Sequence, residues 1–167
     1  MRLDKGIDFI SIWSGKLVAW IVIGNIFALV YEVIARYLFN SPTAWSYEMT
    51  YFFYGSHFLL GAAYTLHIKS HIRVDILYRN FSPRGRAIID IIGYLVLFFP
   101  AIGVLIYAGT EFIIQSFEMG EKSGLSSWRP YLYPFKAVVV IGILLLFLQG
   151  IAEFIRNVSL VINRKES

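Results

Sequence analysis

Two carboxylates and one arginine are the charged groups best placed for chemistry in a long apolar sequence. Glu32 precedes Arg36 by one helical turn, so both side chains lie on one helix face and can pair. One interpretation is a proton or ion relay, because charges inside a membrane are often functional. A neutralised pair that orients the helix is favoured, since both residues lie near a predicted helix end, where charge costs less. Glu48 could reach Arg36 across a short turn and extend this cluster.

Histidines offer a second set of candidates. His57 is deep in an apolar run and could bind haem, but a bis-histidine haem needs a second buried histidine on another helix, so we expect an interhelical hydrogen bond instead. His67, His71 and Asp75 follow at helical spacing and could bind a metal, although a polar stripe that faces lipid headgroups is favoured. The chain has no cysteine and no motif of a catalytic site. We therefore expect no cofactor, no metal and no enzyme activity.

The composition indicates that lipid surrounds most of the chain. Of the 167 residues, 57% are hydrophobic and 16% are charged, against about 25% charged in soluble domains. The formal charge is +4, but the basic residues lie between apolar runs. That placement is typical of membrane loops, so we expect no nucleic acid as a partner.

Four apolar runs predict an all-α membrane protein, with one four-helix transmembrane domain over residues 1–167. A spanning helix needs about 20 mostly apolar residues, and these runs do not alternate as barrel strands do. In the turn after the first helix, Ser41 could cap the second helix and Pro42 suits its first position, while Pro100 should kink the third. The predicted spans are about residues 12–39, 43–66, 86–117 and 134–156.

The distribution of charge predicts the orientation. Most of the 15 lysines and arginines lie before the first span, between the second and third spans, or after the fourth. The positive-inside rule then places both termini in the cytoplasm. The segment from His67 to Arg86 mixes apolar and charged residues, so we expect an interfacial piece on the headgroups.

Two motifs carry a resemblance to a known family. The first hairpin and the end of the second helix resemble the small membrane subunit of TRAP transporters, the tripartite ATP-independent periplasmic family (DctQ-like). The four-span plan and the length are similar over nearly the whole chain. The motif residues are Glu32, Arg36, Asn40, Trp45 and Glu48 in the first motif and His71, Arg73 and Asp75 in the second.

The resemblance implies a role in the bacterial inner membrane. In that family a periplasmic binding protein captures an organic acid, and a large membrane subunit carries it inward on a sodium gradient. The small subunit binds the large one and extends its static scaffold, so the motif residues are expected at the subunit interface or in structural roles. The implied partners are the large subunit, the binding protein and the lipid bilayer. Trp128 and Arg129, in the predicted outer loop, are candidates for contact with the binding protein.

Two other functions stay open from the residues alone. The first is a small proton-coupled exporter acting as a homodimer, with Glu32 as its coupling carboxylate. Its outer position disfavours this, because coupling residues lie near the midplane. The second is a haem-holding membrane anchor of a respiratory enzyme, which the single buried histidine disfavours.

Overall fold

The described part of the chain is helical. A computed structural model describes residues 3–68 and 81–163, so His71, Arg73 and Asp75 lie outside the described residues, as does most of the predicted interfacial segment. The prediction of an all-α fold is confirmed for the described ranges. Within those ranges the helices are α1 (Leu3–Tyr37), α2 (Ala44–His67), α3 (Pro83–Glu118) and α4 (Tyr133–Asn163).

Three of the four helices have the length and apolar composition of a membrane span. They are α1, α3 and α4, whereas α2 has 24 residues but a more polar sequence. Its polar side chains include Ser46, Glu48 and Ser56, and all three are buried. α2 can carry these polar side chains because it packs against both α1 and α4, so the side chains can face protein.

Close contacts establish how the helices run. Gly15 of α1 lies against Tyr64 of α2 while Gly24 lies against Phe53, so the two helices are antiparallel. α2 and α4 are parallel, and α3 lies antiparallel against α4. One end of the bundle therefore holds the turn at residues 38–43 and the connection at residues 119–132, and we call it the hairpin end. The other, the terminal end, holds the start of α1 and the end of α4.

Two helices extend beyond the apolar runs that predicted them. α1 begins at Leu3 instead of near residue 12, and α4 continues to Asn163 instead of ending near residue 156. Asp8 lies in the extension of α1, and it forms an ion pair with Arg156, the residue at which the predicted fourth span ends. Polar contacts between the helices stabilise these ends, and a search for apolar runs does not detect such contacts.

A π-helical turn interrupts α3. It spans Tyr94–Phe98, between the α-helical segments Pro83–Gly93 and Phe99–Glu118. Pro100 follows directly, and a proline ring clashes with the carbonyl four residues earlier, here that of Val96. The wider turn accommodates this clash. Local π adjustments of this kind re-satisfy backbone groups that a proline frees in a spanning helix, and the kink at Pro100 stays a prediction.

Candidate functional site

Glu32 joins the first two helices at the hairpin end. Its Oε1 accepts a hydrogen bond from Arg36 Nε at 2.9 Å, as the helical spacing predicted. Its Oε2 accepts from the backbone N–H of Thr43 at 3.0 Å and from the Thr43 hydroxyl. Thr43 is the N-cap of α2 and makes no side-chain cap bond of its own. The prediction of a Ser41 cap is therefore wrong, because a carboxylate from α1 satisfies the start of α2.

Glu48 has a different partner from the one we expected. Its side chain is fully buried, and its Oε1 accepts a hydrogen bond from the Ser126 hydroxyl. Arg36 is half-exposed and pairs with Glu32, so Glu48 does not extend that charge cluster. Within the described ranges the second oxygen of Glu48 has no partner. Its role is to attach the 119–132 connection to α2.

A second ion pair holds the same connection to α4. The Lys136 ammonium donates to Glu121, and it lies 3.4 Å from the centroid of the Phe112 ring. Lys136 is only 8% exposed, which is unusual for a lysine. The hydrogen bond from Lys136 and its positive charge lower the pKa of the Glu121 carboxyl below its ordinary value. Glu121 and Glu48 together hold the connection at two points.

The remaining described motif residues lie on the surface of the hairpin end. Asn40 adopts the left-handed conformation, φ 50°, in the turn before α2, and the ring of Trp45 packs against Tyr31 at 5.4 Å. Trp128 and Arg129 are both exposed on the connection, where Arg129 also has a left-handed φ of 48°. Such backbone is sparsely populated for a residue with a Cβ, so the two tethers of the connection help to hold it.

The terminal end contains a polar network that sequence reasoning missed. Asp8 accepts hydrogen bonds from Arg156 and from Gln149 Nε2 at 3.3 Å, and its Oδ1 lies 3.0 Å from His67 Nδ1. The fully buried Gln149 also accepts from the Ser11 hydroxyl at 2.7 Å. The network joins α1, α2 and α4.

One signal could have revealed this network. Gln149, Glu153 and Arg156 interrupt the apolar run of α4 at helical spacing, and Glu153 is 4% exposed while bonded to Arg156. A polar stripe on a helix that lipid surrounds must face protein. Its partners on α1 and α2 are distant in sequence, so spacing alone could not name them.

His57 lies outside both clusters. Its Nδ1 is 3.3 Å from the Phe53 carbonyl oxygen of the same helix, and its ring packs against Tyr54. The expected interhelical hydrogen bond is therefore wrong, since a turn of its own helix supplies the partner. Among the described residues no group of histidine and acidic side chains could hold a metal ion.

The arrangement as a whole joins helices to one another. Its ion pairs lie at the two ends of the bundle and link α1 to α4 and the connection to α4, while polar contacts of Asp8 with His67 and of Glu32 with Thr43 link α1 to α2. Close glycine contacts and aromatic ring contacts, such as that of Phe99 with Phe147, pack the helices between the ends. These features define a helical membrane protein whose buried charged groups contact other parts of the same chain.

Comparison with protein families gives the identity. The model of the DctQ component of tripartite ATP-independent periplasmic transporters matches residues 26–160. The chain belongs to this family, so it is the small membrane subunit of a TRAP transporter, as the resemblance of the two motifs predicted. No curated protein and no solved structure gives a match.

Proposed function

We propose that the chain braces the scaffold of the large transport subunit during sodium-driven uptake of an organic acid delivered by a periplasmic binding protein. One observation carries the proposal. The ion pair of Asp8 with Arg156 joins α1 to α4, and that of Lys136 with Glu121 joins α4 to the connection. Glu48 is buried and bonded to the same connection. Charged residues that serve transport instead line a substrate or ion pathway. The chain then stays rigid while ions and substrate pass through the large subunit.

The proposed topology is a single domain of four spans in the bacterial inner membrane, with both termini in the cytoplasm. Three helices have the length and composition to span, and α2 packs antiparallel along α1. If α1 crosses the bilayer, α2 lies at the same depth beside it. The polar side chains of Ser46, Glu48 and Ser56 on α2 are buried in protein and do not contact lipid. The hairpin end then faces the periplasm, which places Trp128 and Arg129 where a soluble binding protein could contact them.

The surface proposed for the large subunit is apolar. In the most hydrophobic stretches of α1 and α3, only 6% of the residues are buried within the chain, against 33% in that of α4. Trp20 and Phe27 on α1, and Leu97 on α3, are each more than 70% exposed. Lipid or a second membrane protein can cover such faces equally well. The Glu32–Arg36 pair lies beside the α1 face, where it can orient the hairpin against the partner.

Co-purification with the large subunit tests the proposal. Arg36→Ala should reduce the amount of large subunit recovered in mild detergent, because the hairpin loses the ion pair that fixes its end. Lys122→Ala, an exposed lysine at the same end, is the control and should leave recovery unchanged. Equal recovery with both variants, and equal uptake, would count against a role for the pair.

Reconstitution tests the division of labour. The chain alone in liposomes should take up no labelled organic acid under a sodium gradient, whereas the complex with binding protein should. Uptake by the chain alone would refute the bracing function and favour an exporter.

A further inference from the structure

A cavity of about 340 Å³ lies near the hairpin end, between α2, α3, α4 and the connection. Most of its wall is apolar, with Tyr51, Phe112 and Val139 contributed by the three helices. The charged part of the wall is the ion pair of Glu121 and Lys136, and Ser123 lines it as well. The volume lies within the roughly 300–1,000 Å³ typical of pockets for small ligands.

The cavity has a gradient of polarity along the helix axis. Glu121 belongs to the connection and Lys136 to the first turn of α4, so both lie at the level where the helices end. Val139, Val140 and the Gly109 that faces Val140 lie further into the bundle, whereas the Phe112 ring lies beside the Lys136 ammonium. A ligand that fills this space would have a polar group near the membrane surface and an apolar part below it.

Exposed lining residues lie on α2, on α3 and on the connection, so the cavity wall is incomplete between α2 and α3. These two helices make no extensive contact with each other, since both pack on α4. Tyr51 on α2 and Phe112 on α3 are each about half exposed, although they line the cavity. At the depth of a spanning helix, the medium outside such a gap is the acyl region of the lipid.

We propose that the cavity binds one acyl chain of a phospholipid from the hairpin-end leaflet, with the lipid phosphate accepting a hydrogen bond from Lys136. An ammonium has three donors, and Glu121 is the acceptor found for it within the described ranges. The Glu121 carboxylate offsets much of the charge of Lys136. A small soluble anion would therefore bind weakly in the cavity, because charge attraction alone would hold it. The apolar chain supplies most of the binding, because burial of each methylene is favourable.

Native mass spectrometry of the delipidated full chain with added dioleoyl phosphatidylglycerol tests the proposal. The wild-type chain should retain one lipid. Val139→Phe places a ring in the cavity and should weaken retention ten-fold or more. Val104→Phe adds the same ring to an exposed position of α3 and should leave retention unchanged. Equal retention by both variants, or no lipid retained by the wild type, would overturn the proposal.

A second pair of variants keeps the test valid if Val139→Phe does not fold. Lys136→Met should weaken phospholipid retention two- to five-fold, while Lys122→Met, outside the cavity wall, should not change it. Equal retention by this pair would overturn the phosphate contact.

The source of the ligand is tested with two further probes. Oleate added in place of the phospholipid should bind more weakly, and stronger binding of oleate would overturn the assignment to a membrane phospholipid. The purified complex should retain the same lipid; its loss on assembly would mean that the large subunit fills the cavity, which also contradicts the proposal.

Discussion

Gly142 is the position where a single methyl group should damage the bundle most clearly. A Cβ built at this residue would lie 2.9 Å from the carbonyl carbon of Leu59 and 3.0 Å from its oxygen. Those atoms belong to the backbone of α2, so they can yield only if the whole helix moves. Gly142→Ala therefore separates α2 from α4, and every contact between the two helices weakens.

The magnitude follows from two opposed effects. Overpacking of a close contact costs about 1–3 kcal/mol. Replacement of glycine by alanine within a helix stabilises the folded state by roughly 0.5–1 kcal/mol. The net destabilisation should lie between about 0 and 2.5 kcal/mol and centre on about 1 kcal/mol, which corresponds to a fall in the melting temperature of roughly 2–4 °C for a chain of this size.

The assay is thermal unfolding in mild detergent, followed by circular dichroism. Gly103→Ala is the matched control, because no atom lies within 4 Å of the Cβ it would add on α3. The control should melt at or slightly above the wild-type temperature. If Gly142→Ala melts as high as Gly103→Ala, the reasoning about the contact between α2 and α4 is refuted.

Three further perturbations address the polar contacts. Glu48→Leu should release the 119–132 connection and speed its cleavage in limited proteolysis, whereas Glu48→Gln keeps an acceptor and should cleave slowly; equal rates would contradict the tether. The Glu121–Lys136 pair should stabilise fully above the ordinary glutamate pKa of 4.5 and weaken as pH falls through the lowered pKa of Glu121, so Lys136→Met should flatten the melting temperature between pH 6 and pH 3. Asp8→Asn should cost about 1–3 kcal/mol in thermal unfolding, because Arg156 loses a charged partner. Glu118→Gln, at an exposed position, is the control for Asp8→Asn. An equal loss of stability in both variants would contradict a stabilising role for the polar network around Asp8.

Much of the fold could be predicted from the sequence, because the bilayer imposes a simple rule on composition. Apolar runs of sufficient length identified α1, α3 and α4, and local spacing identified the pairing of Glu32 with Arg36. The motifs around these residues also identified the family. Each of these inferences depends on residues that are near one another in the chain.

The errors have a common physical cause. Glu48 was expected beside Arg36, which is near it in sequence, but its partner Ser126 lies on the distant connection. The helix start was assigned to Ser41, whereas the carboxylate that satisfies it comes from α1. A side chain reaches a partner across the bundle as easily as along the helix, and sequence spacing carries no information on the first kind of contact.

The sequence by itself determined which segments are helical and apolar, and which family the chain belongs to, since composition and local motifs decide both. Only the tertiary structure decided that α2 lies between α1 and α4, that Asp8 joins three helices, and that a cavity remains beside Lys136. The physical reason is that helix packing depends on close contacts such as that of Gly142 with Leu59, which join residues far apart in the chain.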